Sequence, residues 1–497
     1  MERLNYEVLE KSGYQGYVLK DAPTKMLQFG EGNFLRAFVD YYFDVANEKA
    51  GWNGKAVLTQ PRGKGKDQAF NEQEGLYTLY IRGNDKGKKV DERRVISVVK
   101  KCYNPIDHFD ELMKVICEDS LEYITSNTTE AGIVYDSSVR YDDNPPASFP
   151  GKLTKLLFSR FQAKKKGLII LSCELIDANG KELKKCVLHH IDDWGLGEDF
   201  KKWVQEENLF CSTLVDRIVP GAIRDEEELA ALARKNGYED KLLNVGEVFS
   251  VWYIEGDKAL EDRLPFRKAG VNVHVVPDIA PYKKRKVRIL NGAHTGFALG
   301  AYLAGKDIVR ECMEDDGIRE FMNRMLYDEI IPILPLDKKD CEEFAASVAD
   351  RFNNPFMAHQ LLSISLNSTA KWKARNMPSL LEYWEKFGKI PKCLAMTLSL
   401  YIAFYSSDIQ SREEKHLVCR RPKGDTYQIQ DDEWVMDFYF ARKDADAASL
   451  VHDVLASKEM WDEDLTRIPG LESQVLEGVS LVREKGAEAA FRSCLKA

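Results

Sequence analysis

Metal-ligand spacing is what this chain most plainly lacks. Its ten cysteines are scattered from Cys102 to Cys494, with no CxxC pair and no histidines at zinc-ligand spacing, and no HExxH occurs. The adjacent His189 and His190 are too little on their own, so no metal is expected and the thiols read as reduced and mostly buried. Long apolar runs are missing as well. Nothing reaches the roughly eighteen consecutive apolar residues of a membrane span, and the opening MERLNYEVLEKSGYQGY has no signal core. These absences predict a cytoplasmic protein with no membrane partner. Positive charge is not in excess either: 71 lysines and arginines face 80 aspartates and glutamates, for a formal net charge of -9. That balance excludes a protein that coats nucleic acid, while a local basic pocket for a small anion remains compatible with it. Internal repeats and low-complexity tracts are absent too.

What is present is a chain of 497 residues, 44% hydrophobic and 30% charged, too long for one ordinary core. Its first strong element is TKMLQFGEGNFLRAFVDYYFDVANE. Met26 to Phe29 reads as a buried strand and Gly30-Glu31-Gly32 as a tight turn. From Phe34 the pattern is a helix with Phe34, Phe38 and Tyr41 or Tyr42 on its packed side. This is the order of a first dinucleotide-binding βα unit, in which glycines admit a pyrophosphate to the backbone at a helix start. Phe29, Gly30, Glu31, Gly32, Asn33 and Phe34 are therefore candidate cofactor contacts. The full GxGxxG pattern is not met, because Leu35 stands where the third glycine belongs, and a lone GxG also fits a simple strand-to-helix turn.

The next strand, KAVLTQP at 55–61, ends in Gln60, Pro61 and Arg62 rather than in the acid that often binds an adenosine ribose. Arg62 and Lys64 would suit a 2′-phosphate, so this feature leaves NAD and NADP both open. Alternating segments at 77–83 and 93–99 predict strands of a hairpin or insertion, and Pro105 to Cys117 is helical by pattern. A strand within 121–133 runs into Asn127, Thr128, Thr129 and Glu130, which read either as ligand contacts at a sheet edge or as caps. GLIILSCELI predicts another strand, followed by turn residues that include Asn179. In FCSTLVDRIVPG, at 210–221, the adjacent Asp216 and Arg217 predict an ion pair bracing the sheet.

A boundary is expected near 280–286, after which the pattern turns to helices with few strand candidates: 315–335, 338–350, 356–370, 378–387, 391–406, 444–457 and 473–495. The expectation is a Rossmann-type unit over 1–285, with insertions, and a mainly helical unit over 286–497. PYKKRKVRILNGAHTGFALGAYLAG opens the second. On one helix Lys286, Asn291 and His294 fall within a broad face, placing a cation, an amide and an imidazole together. A buried lysine can exchange a proton and an amide can polarise a carbonyl oxygen, chemistry that suits carbonyl reduction or alcohol oxidation. Taken alone, KKRK reads as a solvated face, Asn291 as a cap and His294 as a satisfied core histidine.

QFGEGNFLRAF, TLVDRIVP and the K-x4-N-x2-H pattern of KVRILNGAH, in that order, resemble the polyol-specific long-chain dehydrogenases, the mannitol dehydrogenase family. The resemblance runs from about residue 25 into the C-terminal region. It implies an α/β fold with an N-terminal Rossmann-type domain and a mainly helical C-terminal domain, hydride transfer with NAD, and no metal. Carried onto this chain, it implies Lys286 as the catalytic proton donor and acceptor, Asn291 and Asn179 as donors to the reacting oxygen, and His294 as a substrate contact. RFNNPFMAHQLLSISLNSTAKWKARNMP also resembles the family and implies that Lys371 touches substrate; apart from the resemblance, the nearby cations Lys373 and Arg375 could meet a carboxylate on the far end of a sugar acid. Ser363 replaces an arginine found in mannitol-type members. SNTTEAGI, LTQP and SCELIDANG are most similar to the branch that acts on hexuronates, which implies NADH-dependent reduction of a sugar acid. Fructuronate-type or polyol-type activity is the alternative within the family. A non-catalytic nucleotide sensor is the alternative outside it, although such a protein has no need of Lys286. Family members include monomers and larger assemblies.

Overall fold

The computed structural model describes residues 1–60, 63, 65–129 and 131–495. The chain divides into two compact units, Met1–Arg82 with Val90–Ile279, and Gly83–Lys89 with Ala280–Ala497. The first is an α/β unit built on a largely parallel sheet and the second is mainly helical.

In chain order the strands of the first part are β1 (Thr24–Phe29), β2 (Lys55–Thr59), β3 (Tyr77–Asp85), β4 (Lys88–Ile96), β5 (Val99–Tyr103), β6 (Tyr123–Ser126), β7 (Ile169–Ser172), β8 (Leu209–Asp216), β9 (Asn244–Glu247), β10 (Val251–Glu255) and β11 (Val273–Val276). Eight of them form one sheet in the order β11-β10-β8-β7-β6-β1-β2-β5. From β5 to β8 every pairing is parallel, and only β10 runs antiparallel to β8. Along the parallel run the order is the doubly wound 3-2-1-4-5-6, whose switch point lies between β1 and β6. The strands are buried on both faces, as parallel strands between helices must be. Met26 enters one apolar core with Phe38, Tyr42 and Trp252, while its neighbour Leu27 enters the other with Ile124, Leu153 and Ile170. β3 and β4 form the expected hairpin, extended by β9 parallel to β3.

Two local expectations fail here. The helix after the glycine turn is broken: Asn33–Ala37 stops at Phe38, whose backbone (φ -126, ψ -75) is non-helical, and Val39–Ala50 starts afresh. The predicted brace between Asp216 and Arg217 does not form. Arg217 instead donates from Nε to the Glu247 carbonyl and from Nη1 to the Ala37 carbonyl and lies 4.7 Å from the Tyr41 ring centroid, so backbone oxygens match two of the three nitrogens of the buried guanidinium while Nη2 has no partner among the described residues.

At the core of the second unit lie the helices Gly292–Leu303 and Lys392–Tyr405, apolar nearly all round, with Leu471–Lys485 packed on the latter. Close approach needs glycine here: a Cβ on Gly300 would lie 2.7 Å from Leu400 and 2.8 Å from Phe491. Glu329 caps Lys392–Tyr405 from outside, its carboxylate accepting from the amides of Cys393 (2.7 Å) and Leu394 (2.8 Å). Two expectations are corrected in this unit. Residues 356–370 are mostly irregular, holding only Leu361–Ile364 and the start of Ser368–Arg375. A small antiparallel sheet of β12 (Ile409–Arg412), β13 (Leu417–Arg420) and β14 (Thr426–Ile429) appears where few strands were expected. Its segments are four residues long, too short to register as a period.

Candidate active site

In the first unit, register aligns the carboxyl ends of the parallel strands. Phe29 stands beside Thr59 on one side and Ser126 on the other, and Ser126 is followed by Ser172 and Ser212. This edge, at the switch point, is where open α/β sheets take ligands. Gly30 turns the chain there with φ +123, and a Cβ on it would meet Leu35 at 3.0 Å and the Asn127 carbonyl at 3.2 Å. Leu35, in place of the third glycine, is buried beneath that turn. The helix that would have needed the glycine ends at Ala37, so the larger side chain fits.

A cavity of about 380 Å³ opens at the same edge, lined among others by Phe29, Thr59, Thr128, Gly132, Ser148 and Lys152. Thr128 is held rigidly: its backbone N–H and its hydroxyl both donate to Glu174, whose other carboxylate oxygen accepts from Ser126. Burial pushes the Glu174 carboxyl up and these hydrogen bonds oppose the shift. Lys152 donates to the Ala147 carbonyl at 2.7 Å, and burial brings its ammonium down to about 8. Glu174 and Lys152 were not singled out in the sequence. A glutamate directly after an apolar strand was the available signal for the first; nothing marked the second.

Of the other candidates on this edge, Glu31 is buried with Lys66 3.4 Å away, and Asn33 accepts from Arg36 while its carbonyl takes the Asn244 amide. Phe34 stacks on Phe38, and the Asn127 N–H donates to the Phe29 carbonyl. Pro61, Arg62, Lys64 and Glu130 lie outside the described residues.

Asn179 requires a correction. It is fully buried, its amide nitrogen donates to the carbonyls of Glu174 and Thr213, and its oxygen accepts from the N–H groups of Gly180 and Thr213. Two donors and two acceptor positions are the whole capacity of an asparagine side chain. It ties the start of Asn179–Asp193 to β8 and has nothing left for a reacting oxygen.

In the second unit, the segment expected as one helix is a helix with a wide turn in it. Ala280–Lys286 passes into a π-helical turn, Val287–Asn291, and then into Gly292–Leu303. The i→i+5 ladder of a π turn brings residues five apart toward the same side, which for Lys286 and Asn291 an ordinary α-helix does less well. The KKRK run is not a solvated face: Arg285 is buried with its guanidinium 4.5 Å from the Phe344 ring, and Lys284 pairs with Glu382 at 2.9 Å. Both Lys286 and Asn291 are half-buried. The Asn291 side chain has no hydrogen-bond partner among the described residues.

His294 follows one turn later. Its ring stacks on Phe352 at 3.9 Å and meets His359 edge-on at 5.2 Å, while its Nε2 is sealed from solvent without a hydrogen-bond partner. Burial, then the charges of His359, Arg351, Arg375 and Lys371, hold its pKa well below the ordinary histidine value. Lys371 donates to the Ile364 carbonyl at 3.0 Å and Arg375 to the Thr295 hydroxyl at 3.1 Å. Lys373, expected beside them, is instead paired with Asp462 at 2.7 Å. His359 was not singled out in the sequence because the irregular stretch around it carries no period, and Arg351, near the end of the helix Lys338–Phe352, was quoted there only as part of the RFNNP segment.

Residues 24–268 match the family model described as the mannitol dehydrogenase Rossmann domain, and residues 278–482 match the mannitol dehydrogenase C-terminal domain. The chain belongs to the mannitol dehydrogenase family. Its relatives include an altronate oxidoreductase of Escherichia coli O7:K1, 42% identical over 481 residues, covering 95% of this chain and 96% of that protein. An altronate oxidoreductase of Yersinia enterocolitica is also 42% identical, over 479 residues, with 94% and 96% covered. Among solved structures, a D-sorbitol dehydrogenase in substrate-free form has a similar fold, with TM-score 0.80 at 24% identity, covering 95% of this chain and 96% of that one. A Pseudomonas fluorescens mannitol 2-dehydrogenase, in ternary complex with NAD and D-mannitol, matches with TM-score 0.67 at 21% identity, covering 99% of both. Among the described residues, no helix of this family member is long and apolar enough to cross a membrane.

Proposed function

We propose that this chain is an NAD-dependent oxidoreductase that interconverts D-tagaturonate and D-altronate, a step of hexuronate catabolism. The observation that carries the reading is the π turn that starts after Lys286 and ends at Asn291, because it gathers a lysine and an uncommitted amide just ahead of His294. The altronate oxidoreductases at 42% identity support the substrate.

NAD fits the first unit. The turn at Gly30 brings the end of β1 against Leu35 and the Asn127 carbonyl with no room for a Cβ, and the cavity beside it lies at the switch point of the sheet. Phe29 to Phe34, Asn127 and Thr128 would border the dinucleotide, with Glu174 fixing Thr128. When bound, NAD supplies or accepts the hydride at the substrate carbon. Lys286 gives a proton to the carbonyl oxygen during reduction and takes it from the hydroxyl during oxidation. Asn291 donates a hydrogen bond to that oxygen as negative charge grows on it. His294 and Lys371 hold the remaining polar groups of the sugar acid.

The test is NADH oxidation by the purified protein with D-tagaturonate, D-fructuronate and D-fructose in parallel, repeated with NADPH. Preference for tagaturonate with NADH is expected. A different preferred ketose moves the protein within its family, and no turnover on any of them favours a nucleotide-binding sensor. Lys286→Ala is expected to reduce kcat by roughly 10²–10⁴-fold while NADH still binds, and unchanged turnover would remove the lysine from proton transfer.

A further inference from the structure

We propose that His359 and Arg375 form the carboxylate subsite of the second unit and so decide between sugar acids and neutral sugars. This rests on the function proposed above and names the residues that would set its substrate class.

The subsite is a cluster with charges of one sign. Arg375 ends the helix Ser368–Arg375, one turn beyond Lys371 and on the same side of it. Its guanidinium is anchored on the Thr295 hydroxyl, immediately after His294. His359 closes the group from the irregular segment, edge-on to the His294 ring. Among these groups His294 keeps a polar nitrogen sealed and unmatched. All four side chains are partly withdrawn from water, and burial is the leading influence that disfavours the charged form of each.

Where a cation of this helix is structural, the chain gives it an acid, as Lys373 has Asp462. The acid that acts on Lys371 is Asp431, and its carboxylate already accepts from the Thr369 N–H, the Thr369 hydroxyl and the Tyr405 hydroxyl. Half-buried cations that repel one another need an anion to offset them. A planar carboxylate suits a guanidinium, which can grip both oxygens, with an imidazole N–H as a second donor. A phosphate shares that chemistry, so sugar phosphates belong in the test.

The measurement is kcat/KM for a keto-uronate and for D-fructose in the wild type, Arg375→Gln, Arg375→Lys and His359→Gln, with the binding of D-altronate, D-altritol and a hexitol phosphate read by calorimetry. Arg375→Gln is expected to reduce selectivity for the acid by roughly 10–100-fold, mainly through KM, with partial recovery in Arg375→Lys. Calorimetry should show altronate losing affinity in Arg375→Gln and His359→Gln while altritol does not. Equal losses on charged and neutral ligands would mean a structural role and overturn the proposal, as would wild-type protein binding altritol as tightly as altronate. Tighter binding of the hexitol phosphate would overturn the carboxylate assignment. A wild type that binds altronate selectively but turns over none of the ketoses would refute the proposed function while leaving the subsite standing.

Discussion

Asn179 and Asn291 receive the same task from the family resemblance, donation to the reacting oxygen, and they sit in opposite physical states. Asn179, in the first unit, spends all its hydrogen-bonding capacity on the backbone of β8 and its own turn. Asn291, in the second, is half-buried and its amide has no protein partner among the described residues, three positions ahead of His294, whose Nε2 is sealed. Folded chains match nearly all their buried polar groups. A buried, saturated amide is thus evidence of a structural role, whereas a half-buried amide with no protein partner keeps its donors available.

The sharpest way to break that contrast is to truncate both residues and read both activity and stability. Asn291→Ala is expected to lower kcat by roughly 10²–10³-fold, as loss of one donor to a developing oxyanion does, with little change in Tm. Asn179→Ala orphans two backbone N–H groups and two carbonyls and is expected to lower stability by about 2–4 kcal/mol, seen as a depressed Tm. If Asn179→Ala kept its Tm and lost its turnover, the oxyanion role would return to Asn179.

Saturation does not make a group insensitive to pH, and Glu329 shows why. Both its oxygens are matched by amides, yet burial raises its pKa to about 7. Below about 4.5 the residue is protonated in folded and unfolded chains alike. Between there and about 7 only the folded state keeps the proton, so stability falls as pH rises, by about 3 kcal/mol at most, and levels off above. Glu329→Gln removes the titrating group. Chemical denaturation at pH 5 and pH 8 should show a shallower decline in the variant, and equal slopes would place the titration elsewhere.

How much of this was legible in the sequence follows from the same physics. The parallel sheet was readable because its strands are short apolar runs ending in turn residues, and the GEGN turn announced the first βα unit. The break at Phe38 was not readable, because the apolar spacing from Phe34 to Tyr42 continues across it. The π turn was hidden for a related reason: one wide turn shifts the helical phase without altering composition. Lys371 and Arg375 could be found as cations on a helix. His359 could not, since only the folded chain brings the irregular segment onto His294.

Lys152 carries the smallest expected effect and tests whether the saturated edge of the first unit also has a group reserved for a ligand. Its ammonium lines the cavity beside Phe29 and Thr128, held at about 8 by burial alone. If the cavity takes part of NAD, a phosphate-bearing ligand is attracted below that value, where the lysine is charged, and less so above it. NADH affinity, followed by fluorescence, should therefore fall by a factor of roughly three to ten between pH 7 and pH 9. In Lys152→Met the affinity should be weaker at pH 7 and nearly flat with pH. A variant with the wild-type slope would show that the charge on Lys152 serves the fold alone and that the cavity's electrostatics come from elsewhere.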